Sequence, residues 1–181
     1  PGSFLRTEKA RPNGQPPGRT GRLVFRGAFQ GVLAVGRGLA DSAEHSGGIV
    51  MEKTILQPKT LHEPFSAYSH GIAVDGAKRV IFCAGQVAGD AEGNIVGEGD
   101  FDAQGEQVMS NLRDVLAEAG ATFADVVKLT TYVVRKEDTQ KARDLVGRHF
   151  RENPPANTLC VLQGLATPAY LVEIEGIAVL A

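Results

Sequence analysis

Two carboxylates, Glu173 and Glu175, stand inside an otherwise apolar run near the end of the 181-residue chain. In residues 171–180, Val172, Ile174, Ala178 and Leu180 alternate with Glu173, Glu175 and Val179, the period of a half-buried strand. Carboxyl groups so placed support two readings. On a solvated sheet face they do no chemistry, and the pattern alone favours that. Lining a cleft, one of them can take the proton of an attacking water.

The remaining reactive residue types form no strong motif. His62 and His70 lie close in sequence, but no third ligand completes a metal set. His149 falls on a helix face, where a packed or partly exposed role is expected, and His45 lies outside the regular part of the chain. Cys83 and Cys160 each sit in an apolar run and belong to no CxxC pair. They read as buried, reduced thiols, which suits a cytoplasmic protein. There is no P-loop, no dinucleotide fingerprint, no HExxH and no G-x-S-x-G. A metal pair at His62 and His70 is a weak alternative.

The elements that must position these groups can be read from Met51 onward. Residues 53–56 fit a short edge strand. Residues 71–74 and 79–84 flank Asp75-Gly76 and read as a hairpin. A helix follows: Phe101, Gly105, Val108, Leu112, Val115, Leu116 and Ala119 share a stripe. Asp100 or Asp102 can cap its start, and Gly120 ends it. Residues 126–134 are a β-branched strand. Glu137 or Asp138 opens a second helix that buries Ala142, Leu145, Val146, His149 and Phe150, and Pro154 stops it. Two further strands, at 158–162 and 171–180, close the order.

Residues 1–50 differ from the rest. They hold ten of the 22 glycines, four of the nine prolines, and seven Lys/Arg against three Asp/Glu. They read as a loosely held leader, with Met51 as the native start and the leader a remnant of expression or upstream translation. An Arg-rich transit peptide is the alternative. Residues 51–181 form one domain and carry twelve Lys/Arg against eighteen Asp/Glu, a net of −6. That acidity disfavours nucleic acid as a partner. No apolar run is long enough to span a bilayer.

Two helices cover only one face of a mostly antiparallel sheet. The other face still carries apolar positions, which generally marks contact between subunits. Self-association is therefore expected, with ligand clefts between protomers.

Four segments resemble the reactive intermediate deaminase family (Rid, also called YjgF or endoribonuclease L-PSP). They are Tyr68-Ser69-His70-Gly71; Ile81-Phe82-Cys83-Ala84-Gly85-Gln86; residues 111–120 with 125–128; and Pro155-Ala156-Asn157-Thr158 with residues 172–178. The resemblance spans residues 51–181. It implies a chorismate-mutase-like α+β fold: a single mixed or antiparallel sheet with two helices on one face, assembled as a homotrimer with three clefts. It also implies hydrolysis of reactive imines or enamines, small-molecule metabolites, to a keto acid and ammonia, without a metal or organic cofactor.

The resemblance assigns site residues by position. Glu173 matches the family's cleft glutamate and would direct the water, and Tyr68 matches its cleft tyrosine. Where family members carry an arginine after Pro-Ala to grip a substrate carboxylate, this chain has Asn157, which places it in an arginine-lacking branch. Losing a charge-assisted hydrogen bond costs about 1.5–3 kcal/mol, so deamination of small 2-imino acids is doubtful. The family serine before Gly-Gln is Ala84, and the cysteine two places after the arginine is Leu159, with Cys160 expected on the opposite face. Thr158 adds a hydroxyl for a neutral ligand. A non-catalytic metabolite-binding or chaperone-like trimer is the alternative, and ribonuclease activity is less favoured by the acidic body.

Overall fold

A computed structural model describes residues 50–181; the expectation for the leader lies outside the described residues, apart from Val50, which is exposed. The fold is mixed α+β. In chain order the elements are β1 (Glu52–Leu56), β2 (Gly71–Asp75), β3 (Arg79–Gln86), α1 (Phe101–Glu118), β4 (Val126–Val133), α2 (Thr139–Phe150), β5 (Ala156–Val161) and β6 (Val172–Leu180).

The main sheet has the order β3-β6-β4-β5, with β4 and β5 parallel and the other pairs antiparallel. β1 and β2 form a separate antiparallel ladder. It is linked to the main sheet by a parallel bridge from Ser69 to Ala156. The sheet expected as one unit is thus realised as two ladders.

The expected hairpin between β2 and β3 does not form. The turn at Asp75-Gly76 redirects the chain instead: β2 pairs with β1, and β3 pairs with β6 from Arg79 opposite Leu180 to Gln86 opposite Ile174. β6 is the longest strand of the fold, and pairing with it packs Ile81 and Cys83 on the core. The exposed β1 offers no such burial. Non-local burial outweighs the local turn signal.

Both helices lie on one face of the main sheet. α1 starts where Asp100 Oδ1 accepts from the backbone N–H groups of Asp102 (2.9 Å) and Ala103 (3.3 Å). It ends in a Schellman turn: Gly120 donates to the Ala117 carbonyl and Ala121 to that of Leu116, with Gly120 at φ +75°. Phe101, Val108, Leu112 and Leu116 are buried as the stripe requires. Val115 sits at the stripe's edge and stays 38% exposed. α2 buries Ala142, Leu145, Val146 and Phe150. His149, on the buried face's edge, is packed but partly exposed as expected, and meets Glu106 Oε2 at 3.1 Å. Leu129, Val133, Val172, Ile174 and Ala178 complete the core from the sheet.

The opposite face carries no helix. Val80 and Phe82 of β3 are 52% and 77% exposed there.

Candidate functional site

The helix-free face bears a row of polar groups set by strand alternation. Lys128, Thr130 and Tyr132 of β4 point away from buried Leu129, Thr131 and Val133. In register beside them stand Thr158 and Cys160 of β5 and Glu173 and Glu175 of β6. Lys128 Nζ donates to Thr158 Oγ1 at 3.0 Å and to the Leu129 carbonyl. Burial pushes its ammonium pKa down, with Glu175 pulling the other way. Tyr132 donates its hydroxyl to Glu175 Oε1 at 3.1 Å; partial desolvation and that carboxylate raise the phenol's pKa. A hollow of about 410 Å³ opens between Phe82, Ala84, Lys128, Glu175 and Ile177.

The two glutamates have different surroundings. Glu175 is committed to Tyr132. Glu173 instead lies over β3, where a bulge between Cys83 and Gln86 inserts one extra residue against β6. A Cβ built on Gly85 would come within 1.9 Å of Glu173 Oε1, so the glycine alone leaves room for the carboxylate. Glu173 has no ion pair among the described residues.

Two polar anchors hold these strands in place, and neither was singled out from the sequence. Gln104, buried in α1, donates to the Ala169 carbonyl and accepts from the Leu171 N–H, both at 2.8 Å. This ties the approach to β6 onto the helix. Asn111 donates to the carbonyls of Val87 and Gly89, both at 2.9 Å, and accepts from Gln107 at 2.8 Å. It holds the chain just after the bulge. Spacing along α1 could have exposed them, since Gln104 falls on the apolar stripe.

Tyr68 comes from the other end of the molecule. Ser69 donates from its N–H to the Pro155 carbonyl (2.9 Å) and from Oγ to that of Pro154 (2.7 Å), pinning the Tyr68 segment to the entry of β5. The Tyr68 ring meets Phe65 and His70 edge-on at 5.7 and 5.5 Å, and His62 stacks on Phe65 at 5.3 Å. His70 Nε2 donates to the His62 carbonyl and His62 Nδ1 to that of Glu63, each at 2.8 Å. Among the described residues no group of three His, Cys, Asp or Glu side chains could hold a metal ion.

Asn157 and Leu159 face the helices. Asn157 Oδ1 accepts from Thr131 Oγ1 at 3.3 Å, and Leu159 packs on the core. Asn157 sits opposite Leu129 and Glu173 opposite Tyr132, on different faces of the sheet and three residues apart along β4. One protomer therefore joins Glu173 with Ala84-Gly85, and Tyr68 with the start of β5, but does not join the two groups. Thr158 points away from Asn157, toward Lys128. Cys160 lies opposite Leu159, as alternation requires. Cys83 and Cys160 are free thiols, Cys83 buried with its pKa raised by desolvation. Among the described residues no helix is long and apolar enough to cross a membrane.

The sequence model of the family described as Endoribonuclease L-PSP matches residues 59–180. A RutC family protein of Pyrococcus abyssi is 33% identical over 128 residues, covering 71% of this chain and 98% of its own. One from Synechocystis sp. is 34% identical over 131 residues, covering 72% and 98%. Among solved structures, a protein of unknown function of the conserved Rid family from Yersinia pestis matches with a TM-score of 0.65. It is 39% identical and covers 71% of this chain and 98% of its own. The family model covers about two thirds of the chain and these relatives are matched over nearly their whole length: the chain belongs to the Rid (YjgF, endoribonuclease L-PSP) family.

Proposed function

We propose that the protein hydrolyses a reactive imine or enamine to a carbonyl compound and ammonia, in grooves between identical protomers arranged as a trimer. The observation that carries this reading is the Glu173 carboxylate seated over Gly85 without an ion pair among the described residues. There it can take a proton from water as the oxygen adds to the C=N carbon. Returned to nitrogen, the proton lets the C–N bond break and ammonia leave. Tyr68 and Asn157 then belong to the facing protomer, which supplies the half of the groove that one chain lacks. The exposed Val80 and Phe82 support such a contact, since an uncovered apolar face is costly in water.

Asn157 narrows the substrate. Its amide is turned to Thr131 and carries no charge, so a carboxylate next to the imine finds no guanidinium there. An imine without that carboxylate is the fitting class. The test is ammonia release from enzymatically generated imines, comparing the parent with Glu173→Ala and Asn157→Arg. Activity lost with Glu173→Ala supports the reading, and activity unchanged by it refutes it. A gain on 2-imino acids with Asn157→Arg would indicate a cleft that kept its shape.

A second reading, a trimer that binds a metabolite without turnover, is favoured by the same neutral Asn157. It predicts ligand binding with no ammonia from any imine. Ribonuclease activity, suggested by the family's older description, fits poorly with the net charge of −6 over residues 51–181.

A further inference from the structure

A hollow of about 660 Å³ lies between residues 65–67 and α2, a size suited to a small ligand. Its walls include Phe65 on one side and Arg143, Arg148 and Arg151 on the other. Arg148 is already paired, with Glu106 Oε1 at 2.9 Å. Arg151, the C-cap residue of α2, is exposed and has no ion pair among the described residues. Arg143 sits mid-helix and half-buried, so its guanidinium is the better fixed of the two, and its side chain has no ion pair or hydrogen bond among the described residues. The hollow also holds one acid, Asp144, whose Oδ1 accepts from Gln140 at 2.9 Å. With Arg148 paired to Glu106, Arg143 and Arg151 stand against the single carboxylate of Asp144 and leave a positive site on an acidic body.

We propose that this hollow binds a small oxyanion, a carboxylate or a phosphate, through Arg143, with a flat apolar part of the same ligand lying against Phe65. A guanidinium fork suits both oxyanions. The Phe65 ring is 74% exposed and backed by His62, stacked at an interplanar angle of 23°, so it offers a braced flat surface. Two guanidiniums without an ion-pair partner among the described residues suit a small anion and not a nucleic-acid backbone, which needs a row of cations.

The hollow also adjoins the groove of the proposed reaction, because the Phe65 and Tyr68 rings touch at 5.7 Å. Resting on that reading in this one respect, the site would receive an anionic group of the substrate that lies away from the C=N bond. The charge missing at Asn157 is then supplied from α2, for a longer and flatter substrate class.

Calorimetric titration of the full chain with benzoate, phenyl phosphate and neutral benzamide tests the proposal. Both anions are expected to bind at least about tenfold more tightly than benzamide, the effect of one charge-assisted hydrogen bond. Arg143→Gln should erase the difference and Arg143→Lys should keep part of it. Phe65→Ala should weaken all three ligands alike. Equal binding of benzoate and benzamide overturns the proposal, as does an anion preference that survives Arg143→Gln in a variant with native circular dichroism. The outcome is separable from the hydrolase reading. Arg143-dependent benzoate binding without ammonia release from any imine supports this site and refutes turnover. Glu173-dependent turnover with benzoate indifferent to Arg143 does the reverse.

Discussion

Glu173 Oε1 occupies space that a Cβ on Gly85 would claim, 1.9 Å from where that atom would stand. The seat of a carboxylate on β6 thereby depends on a glycine in the bulge of β3. The glutamate of this face that is not tied to Tyr132 thus sits over Gly85 of the bulge.

Gly85→Ala should therefore act as a local version of removing the carboxylate. The added methyl collides with the far end of a flexible side chain, so Glu173 swings away while the strands stay paired. Thermal stability should change by about 1 kcal/mol or less. Ammonia release should fall as far as in Glu173→Ala. Full activity in Gly85→Ala, beside a dead Glu173→Ala, would show that the observed seat of the carboxylate is not the working one.

Gln104→Ala should cost more stability than any surface change on α1. It strands the Ala169 carbonyl and the Leu171 N–H. Each buried group left unpaired costs about 1–3 kcal/mol. Urea unfolding measures this directly, and a shift under 0.5 kcal/mol, the usual range for surface changes, would mean that water replaces the side chain.

Much of the fold could be read locally. Asp100, Gly120 and the α1 stripe are signals carried within one element, and they stand as expected. The β2–β3 hairpin failed because Asp75-Gly76 reports a change of direction and not the strand's next partner. The faces of Asn157 and Thr158 depend on the parallel pairing of β5 with β4, a non-local fact. Gln104 and Asn111 were missed because polar residues on a helix read as solvated. Arg143 was hidden by the overall acidity of residues 51–181, which averages away a local cluster of guanidiniums.

Acid should weaken the contact between α1 and α2 by a small amount. Arg148 first, and His149 second, hold the Glu106 carboxyl below its ordinary pKa. A carboxylate with a lowered folded pKa stabilises above the ordinary carboxylate range and loses that contribution as pH falls through the lowered value. Glu106 is half exposed, so solvent screening keeps the effect below about 1 kcal/mol. The stability difference between the parent and Glu106→Gln should be largest near neutral pH and vanish in acid. A difference that is the same at every pH would remove the ion pair from the account.

Cys83 should resist alkylation in the folded protein. It is 6% exposed and burial raises its thiol pKa, so the reactive thiolate is scarce and shielded. Mass spectrometry after brief iodoacetamide treatment should find Cys83 unmodified until urea is added. Rapid labelling of native protein would place β3 in a more open arrangement.

The central claim is that identical protomers cover the helix-free face bearing Phe82 and complete a groove around Glu173. Sedimentation velocity at low micromolar concentration tests it most directly. The expected result is a single species of three protomer masses, reduced to one folded protomer by Phe82→Glu. A parent protein that sediments as a lone, well-folded protomer would contradict it.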